Sequence, residues 1–180
     1  GDLNKIRNIA KSIIKSKEAG NDIVIVVSAM GTSTDSLNNL AYSISKNPSK
    51  RELDMLLSTG EQVTIALLSI ALNDCGIPSV SMTGSQVGII TESIHGKARI
   101  LEIKTNRIKD HLAQGYVVVV AGFQGASLSH NGSMEITTLG RGGSDTSAVA
   151  LSTALGAESC EIYTDVPGVL TTDPRIVNDA

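Results

Sequence analysis

The sequence predicts an α/β protein, a three-layer αβα sandwich around a mainly parallel sheet. Three observations carry this. Short runs rich in Val and Ile alternate with segments whose apolar residues recur at helical spacing. That alternation argues for parallel strands with helices on both faces. Two polar loops, 138–148 and 164–175, each follow an apolar run, which suggests one functional edge of the sheet. The third observation is length: 180 residues fit one domain with a substantial core.

The elements follow in order. Leu3, Ile6, Ile9, Ala10, Ile13 and Ile14 define a helical face, with Gly20 as its stop. Asp22 to Ser28 reads as a buried strand. Ala29 to Thr34 is turn-prone, and Leu37, Leu40, Ala41 and Ile44 resume helical spacing up to Pro48. Leu53, Leu56 and Leu57 open another helical region, and a long run continues from Glu61 to Asp74, closed by Gly76. Ile77 to Met82 and Gln86 to Thr91 are short strand candidates. Thr105 to Gln114 is helical, capped by Gly115. Tyr116 to Ala121, with four consecutive valines, is the clearest strand. Ser133 to Leu139 pairs as a hairpin around His130-Asn131-Gly132. Ser144 to Leu155 is a helix with an N-capping Ser and a C-terminal Gly156. Ser159 to Thr164 is a final strand.

Composition narrows the function. The net charge of −3 points to neither nucleic acid nor an anionic membrane. No apolar run approaches the ~20 residues that span a bilayer, and the N-terminus lacks a signal-peptide h-region. Cys75 and Cys160 have no metal-ligand spacing. They read as buried small hydrophobes in a reducing cytoplasm. His95, His111 and His130 are scattered and read as surface residues.

The most informative stretch is Thr138-Leu139-Gly140-Arg141-Gly142-Gly143-Ser144-Asp145. It sets one cation, a glycine pair, a hydroxyl and one carboxylate at the opening of a helix. Glycines let backbone N–H groups approach an anion, and a helix N-terminus favours negative charge. Arg141 offers a planar fork for a carboxylate or phosphate. Asp145 cannot hold an anion, so its work is to place cations around one.

Six motifs together resemble the aspartokinases of the amino-acid kinase superfamily: Ser28-Ala29-Met30-Gly31 with Thr34-Asp35, Ser58-Thr59-Gly60-Glu61, Gly122-Phe123-Gln124-Gly125, Thr138 to Asp145, Thr164-Asp165-Val166-Pro167-Gly168, and Thr171 to Arg175. Their order and spacing match over nearly the whole chain. The resemblance implies transfer of the ATP γ-phosphoryl group, with Mg²⁺, to the β-carboxylate of L-aspartate, the first step toward lysine, threonine and methionine. A carboxylate nucleophile is already ionised at neutral pH. The difficulty is to bring two anions together, which cations, backbone N–H groups and Mg²⁺ answer.

Residue by residue, the resemblance implies that Arg141 grips the substrate α-carboxylate and Glu61 receives the α-ammonium group. Thr34 contacts the same aspartate, and Gly142, Gly143 and Ser144 line its pocket. Asp145 organises the catalytic lysines. Thr164, Asp165, Leu170, Thr171, Thr172, Asp173, Pro174 and Arg175 form the nucleotide site. No metal ligand is assigned among them. A homo-oligomeric, cytoplasmic parent protein is implied, with no nucleic acid or membrane partner.

Blander readings stand beside these. Without the resemblance Glu61 is equally a solvated helix-end charge, complementing the dipole by ~0.3–1 kcal/mol. Thr34 is more simply a helix cap, Asp165 a turn cap before Pro167-Gly168, and Arg141 a solvent-facing loop residue. The family pattern also has parts not found here: a Lys-Phe-Gly-Gly-Thr-Ser strand, a second lysine after the Arg175 loop, and ACT regulatory domains. Leu170 stands where many relatives carry tyrosine. The 180 residues are therefore expected to be a partial catalytic domain, missing residues at both ends and inactive by itself. Acetylglutamate kinase and uridylate kinase are alternatives within the superfamily, and Glu61 argues against both because their substrates lack a free α-amino group. A non-catalytic piece that keeps aspartate contacts is the alternative of a different class.

Overall fold

The computed structural model describes residues 3–129 and 132–163. Its elements run α1 (Leu3–Glu18), β1 (Val24–Val27), α2 (Ser33–Ile44), α3 (Lys50–Asp74), β2 (Ser79–Met82), β3 (Ile89–Thr91), β4 (Ile100–Ile103), α4 (Asn106–Ala113), β5 (Val117–Ala121), β6 (Gln124–Leu128), β7 (Met134–Thr138) and α5 (Gly143–Leu155). The α/β class with a mainly parallel sheet holds. β1, β5 and β2 form a parallel three-stranded sheet in the order β1-β5-β2. A second sheet runs β4-β3-β6-β7, with β3 and β6 parallel and its other two pairs antiparallel.

β5 organises the interior, and all five of its residues are buried. Successive strand side chains point to opposite faces, so its residues divide between two cores. Val117, Val119 and Ala121 pack with Ile6, Ala10 and Ile13 of α1 and Ile65, Leu68 and Leu72 of α3. Val118 and Val120 pack with Ile108 of α4, Leu151 of α5, and Met82, Val87 and Ile89. Helices therefore cover both faces of the parallel sheet, as the βαβ alternation predicts.

α3 is a single 25-residue helix passing straight through Gly60, where the sequence suggested two regions. By length and composition it is apolar enough to cross a membrane, its best window having a mean hydropathy of 1.5. Here it is a core helix: Asp54, Ser58, Glu61, Ile65, Leu68 and Leu72 are all buried. Their spacing of four, three, four, three and four residues makes one continuous stripe. The stripe is polar in its N-terminal half and apolar in its C-terminal half.

Several expectations are corrected. β4 was not foreseen. The second strand candidate begins at Ile89, because residues 84–88 form a turn. β7 pairs antiparallel with β6, not with the end of β5, and His130 and Asn131 of the expected connecting loop lie outside the described residues. α5 starts one residue earlier than expected, and Gly142 rather than Ser144 is its N-cap, in a left-handed conformation with φ 72°. Gly156 closes the same helix at φ 67°, which only glycine adopts readily. Residues 159–163 are not strand, and Thr164 lies outside the described residues. Cys75 and Cys160 are free and exposed, not buried. Cys75 follows the last turn of α3, where the chain leaves the core.

Candidate active site

The site forms where parallel strands end. β1 and β5 are in register through Val27 and Ala121, and the Gly122 N–H donates to the Val27 carbonyl at 3.0 Å. Ser28-Ala29 and Gly122-Phe123 are thereby set side by side. Each then receives a motif residue from elsewhere in the chain.

At the first, the Ala29 N–H donates to Glu61 Oε1 at 3.1 Å. Glu61 is 3% exposed, and its Oε2 is buried without a partner among the described residues. Burial raises its pKa above the ordinary 4.5, while hydrogen bonds from its own N–H and that of Ala29 oppose the rise. The helix-end reading of Glu61 is thus overturned; it lies inside α3 and faces inward. Gly60 allows the approach: a Cβ there would meet the Ala29 Cβ at 2.9 Å. Beside this contact opens a cleft of about 520 Å³, walled by Met30, Gly31, Thr32, Ser33, Ser36, Leu37, Thr59, Gly60 and Val63. Thr34 is half-buried in the first turn of α2, between two of these walls, and not itself a cap.

At the second, Gly122 abuts Ser144, whose Cβ and Oγ would each lie 2.9 Å from an added Cβ. Gly143 packs against Leu139 and Phe123. Phe123 has φ 66°, the left-handed region that side chains seldom adopt. Three bonds hold the segment: the Phe123 N–H to Ser147 Oγ at 3.2 Å, the Leu139 N–H to the Phe123 carbonyl at 2.8 Å, and Gln124 Nε2 to the Ser58 carbonyl at 2.9 Å. Arg141 and Asp145 are exposed at the opening of α5, and neither forms an ion pair among the described residues.

Of the expected site residues, the structure therefore gathers Glu61, Gly143 and Ser144 around one sheet end, with Thr34, Arg141, Gly142 and Asp145 on the adjoining loops and helix starts. Thr164, Asp165, Leu170, Thr171, Thr172, Asp173, Pro174 and Arg175 lie outside the described residues. Among the described residues no group of three or more His, Cys, Asp or Glu could hold a metal.

Sequence reading missed Asp54, which is 1% exposed. It also misplaced two histidines. His95 is mostly buried and contacts Asp54 at 2.8 Å. His111 buries Nδ1 and stacks edge-on against Tyr116, with ring centroids 5.7 Å apart. His130 lies outside the described residues. The Asp-His-Gly clustering could not be seen because Asp54 and His95 are 41 residues apart in sequence.

Fold and sequence together define the class. The chain belongs to the amino acid kinase family, whose profile matches residues 1–180. Within that family its close relatives are aspartokinases. It is 59% identical to the aspartokinase of Geobacillus stearothermophilus and to aspartokinase 2 of Bacillus subtilis, in each case over all of this chain and 43% of the relative. Among solved structures, it is similar to the aspartate kinase from Synechocystis, with a TM-score of 0.79 and 58% identity over 99% of this chain and 29% of that one. It is also similar to E. coli aspartokinase III in complex with aspartate and ADP, with a TM-score of 0.65 and 28% identity over 98% of this chain and 38% of that one. An isopentenyl phosphate kinase, at 23% identity and a TM-score of 0.66, shows the shared fold alone. The chain spans less than half the length of the curated relatives it matches.

Proposed function

We propose that this chain is part of the catalytic domain of an aspartate kinase, which transfers the ATP γ-phosphoryl group to the β-carboxylate of L-aspartate. The observation that carries the reading is Glu61. A buried carboxylate with one oxygen partnered by a backbone N–H and the other by nothing among the described residues, next to an open cleft, is prepared for a cation. A substrate α-ammonium group supplies one, and the 59% identity to aspartokinases supports an amino-acid substrate of that class.

In this reading Arg141 pairs with the α-carboxylate, and Thr34, Gly142, Gly143 and Ser144 line the pocket. Asp145 orients cations, Mg²⁺ on the nucleotide among them, around the transferring group. The nucleotide itself is assigned to Thr164, Asp165 and Leu170 to Arg175. When bound, ATP and Mg²⁺ supply the phosphoryl group and neutralise its charge. What the chain contributes is position: a fixed cation and N–H-rich turn for one anion, and a fixed carboxylate for the ammonium. The parent protein is inferred to be cytoplasmic and homo-oligomeric. The exposed apolar side chains of α2, with Ile44 at 90% and Leu40 at 59% exposure, favour an assembly.

The test is Arg141→Ala in the full-length protein. Loss of a charge-assisted bidentate pair costs ~1.5–3 kcal/mol, so the aspartate KM should rise at least about tenfold while the ATP KM stays nearly constant. Equal effects on both substrates would overturn the assignment.

A further inference from the structure

We propose that Asp54 is a positioning residue that fixes the Gly140-Arg141 turn from beneath; the proposal rests on the reading of Arg141 as a substrate contact. Asp54 sits on α3 two turns before Glu61, on the same buried stripe. Its carboxylate gathers three donors from two other parts of the chain. The Thr138 hydroxyl donates to Oδ1 at 2.6 Å. The Gly96 N–H donates to both oxygens, at 3.1 and 3.0 Å. His95 Nδ1 lies 2.8 Å from Oδ2 and, as the Nδ1–H tautomer, donates to it.

These contacts surround the turn. Thr138 ends β7, three residues before Arg141. On the other side, the Gly96 carbonyl lies 3.3 Å from where a Cβ on Gly140 would stand. The two segments are also joined by the Ala98 N–H, which donates to the Thr138 carbonyl at 2.9 Å. The turn closes on itself through the Gly143 N–H and Gly140 carbonyl at 3.0 Å. An exposed arginine on a short turn can present a fork reproducibly only if the turn has a fixed base, and Asp54 provides that base.

A buried carboxylate also carries a desolvation cost that an apolar residue would avoid. Asp54 is buried without a Lys or Arg partner among the described residues. Its bonds are therefore best accounted for by what they hold in place. One helix then serves both ends of the substrate: Glu61 directly, and Asp54 through the turn that bears Arg141.

The experiment uses the full-length protein and the variants Asp54→Asn, Thr138→Val, His95→Asn and His95→Leu, beside Arg141→Ala. Asp54→Asn and Thr138→Val should raise the aspartate KM about tenfold, leave the ATP KM within about twofold, and speed backbone amide exchange at residues 139–143 but not in β5. His95→Asn, which keeps a donor near Nδ1, should resemble the parent, whereas His95→Leu should follow Asp54→Asn. Unchanged exchange at 139–143 in Thr138→Val, the mildest variant, overturns the positioning role whatever Arg141 does. Where Arg141→Ala does raise the aspartate KM, faster exchange in Asp54→Asn and Thr138→Val with an unchanged aspartate KM also overturns it. If Arg141→Ala leaves the aspartate KM alone, the substrate reading fails while the exchange data still decide whether Asp54 holds the turn.

Discussion

Glu61 is the residue whose physics can be followed furthest. Its carboxyl is held above 4.5 chiefly by desolvation. A folded state that keeps its proton longer than the unfolded chain loses stability as pH rises from 4.5 through the raised value. Glu61→Gln should therefore flatten the stability profile over that window, read by urea denaturation between about pH 4 and about pH 8. A slope identical to that of the parent would mean that the carboxyl is better hydrated than its burial implies. The same variant tests specificity. Aspartate binding should weaken, while succinate, which is aspartate without its amino group, should be affected much less. Parallel losses for both ligands would make Glu61 a purely structural residue.

At the scale of elements, α3 explains why some of the site was legible and some was not. Its C-terminal half buries Ile65, Leu68 and Leu72, so periodicity reveals it. In its N-terminal half the inward positions are Asp54 and Ser58, while Leu53, Leu56 and Leu57 are only half-buried. Apolar periodicity there points to the wrong face, and the site's polar base went unseen. The glycine-rich turn before α5 was legible because its chemistry is local, whereas the Asp54-His95-Thr138 contacts join distant segments and leave no local pattern. β4 escaped for a related reason: Leu101 and Glu102 are exposed, and only its ends face the second core. The junction of the turn 84–88 with β6 is equally tight. A Cβ on Gly84 would stand 2.0 Å from the Gln124 carbonyl oxygen, which is backbone and cannot rotate away. Gly84→Ala should cost ~3 kcal/mol, seen as a lower Tm. A wild-type Tm would show that the turn can shift freely away from β6.

At the scale of the whole molecule, the chain spans under half the length of its aspartokinase relatives. Residues 1–180 alone should accordingly show no phosphoryl transfer in a coupled assay in which the full-length protein turns over. Asp145→Ala in the full-length protein should lower kcat far more than either KM, the signature of an interaction expressed mainly in the transition state. Robust turnover by the 180 residues would show that the catalytic cations lie elsewhere. Folding is a separate matter, and there β5 has a consequence of its own. Because Val117 and Val119 belong to one core and Val118 and Val120 to the other, neither core can melt without stripping a face from the strand that the second needs. The two halves of the interior are thermodynamically one unit. Heating should give a single transition whose calorimetric and van't Hoff enthalpies agree, so damage on the α1 side lowers the stability of the α4–α5 side by the same amount.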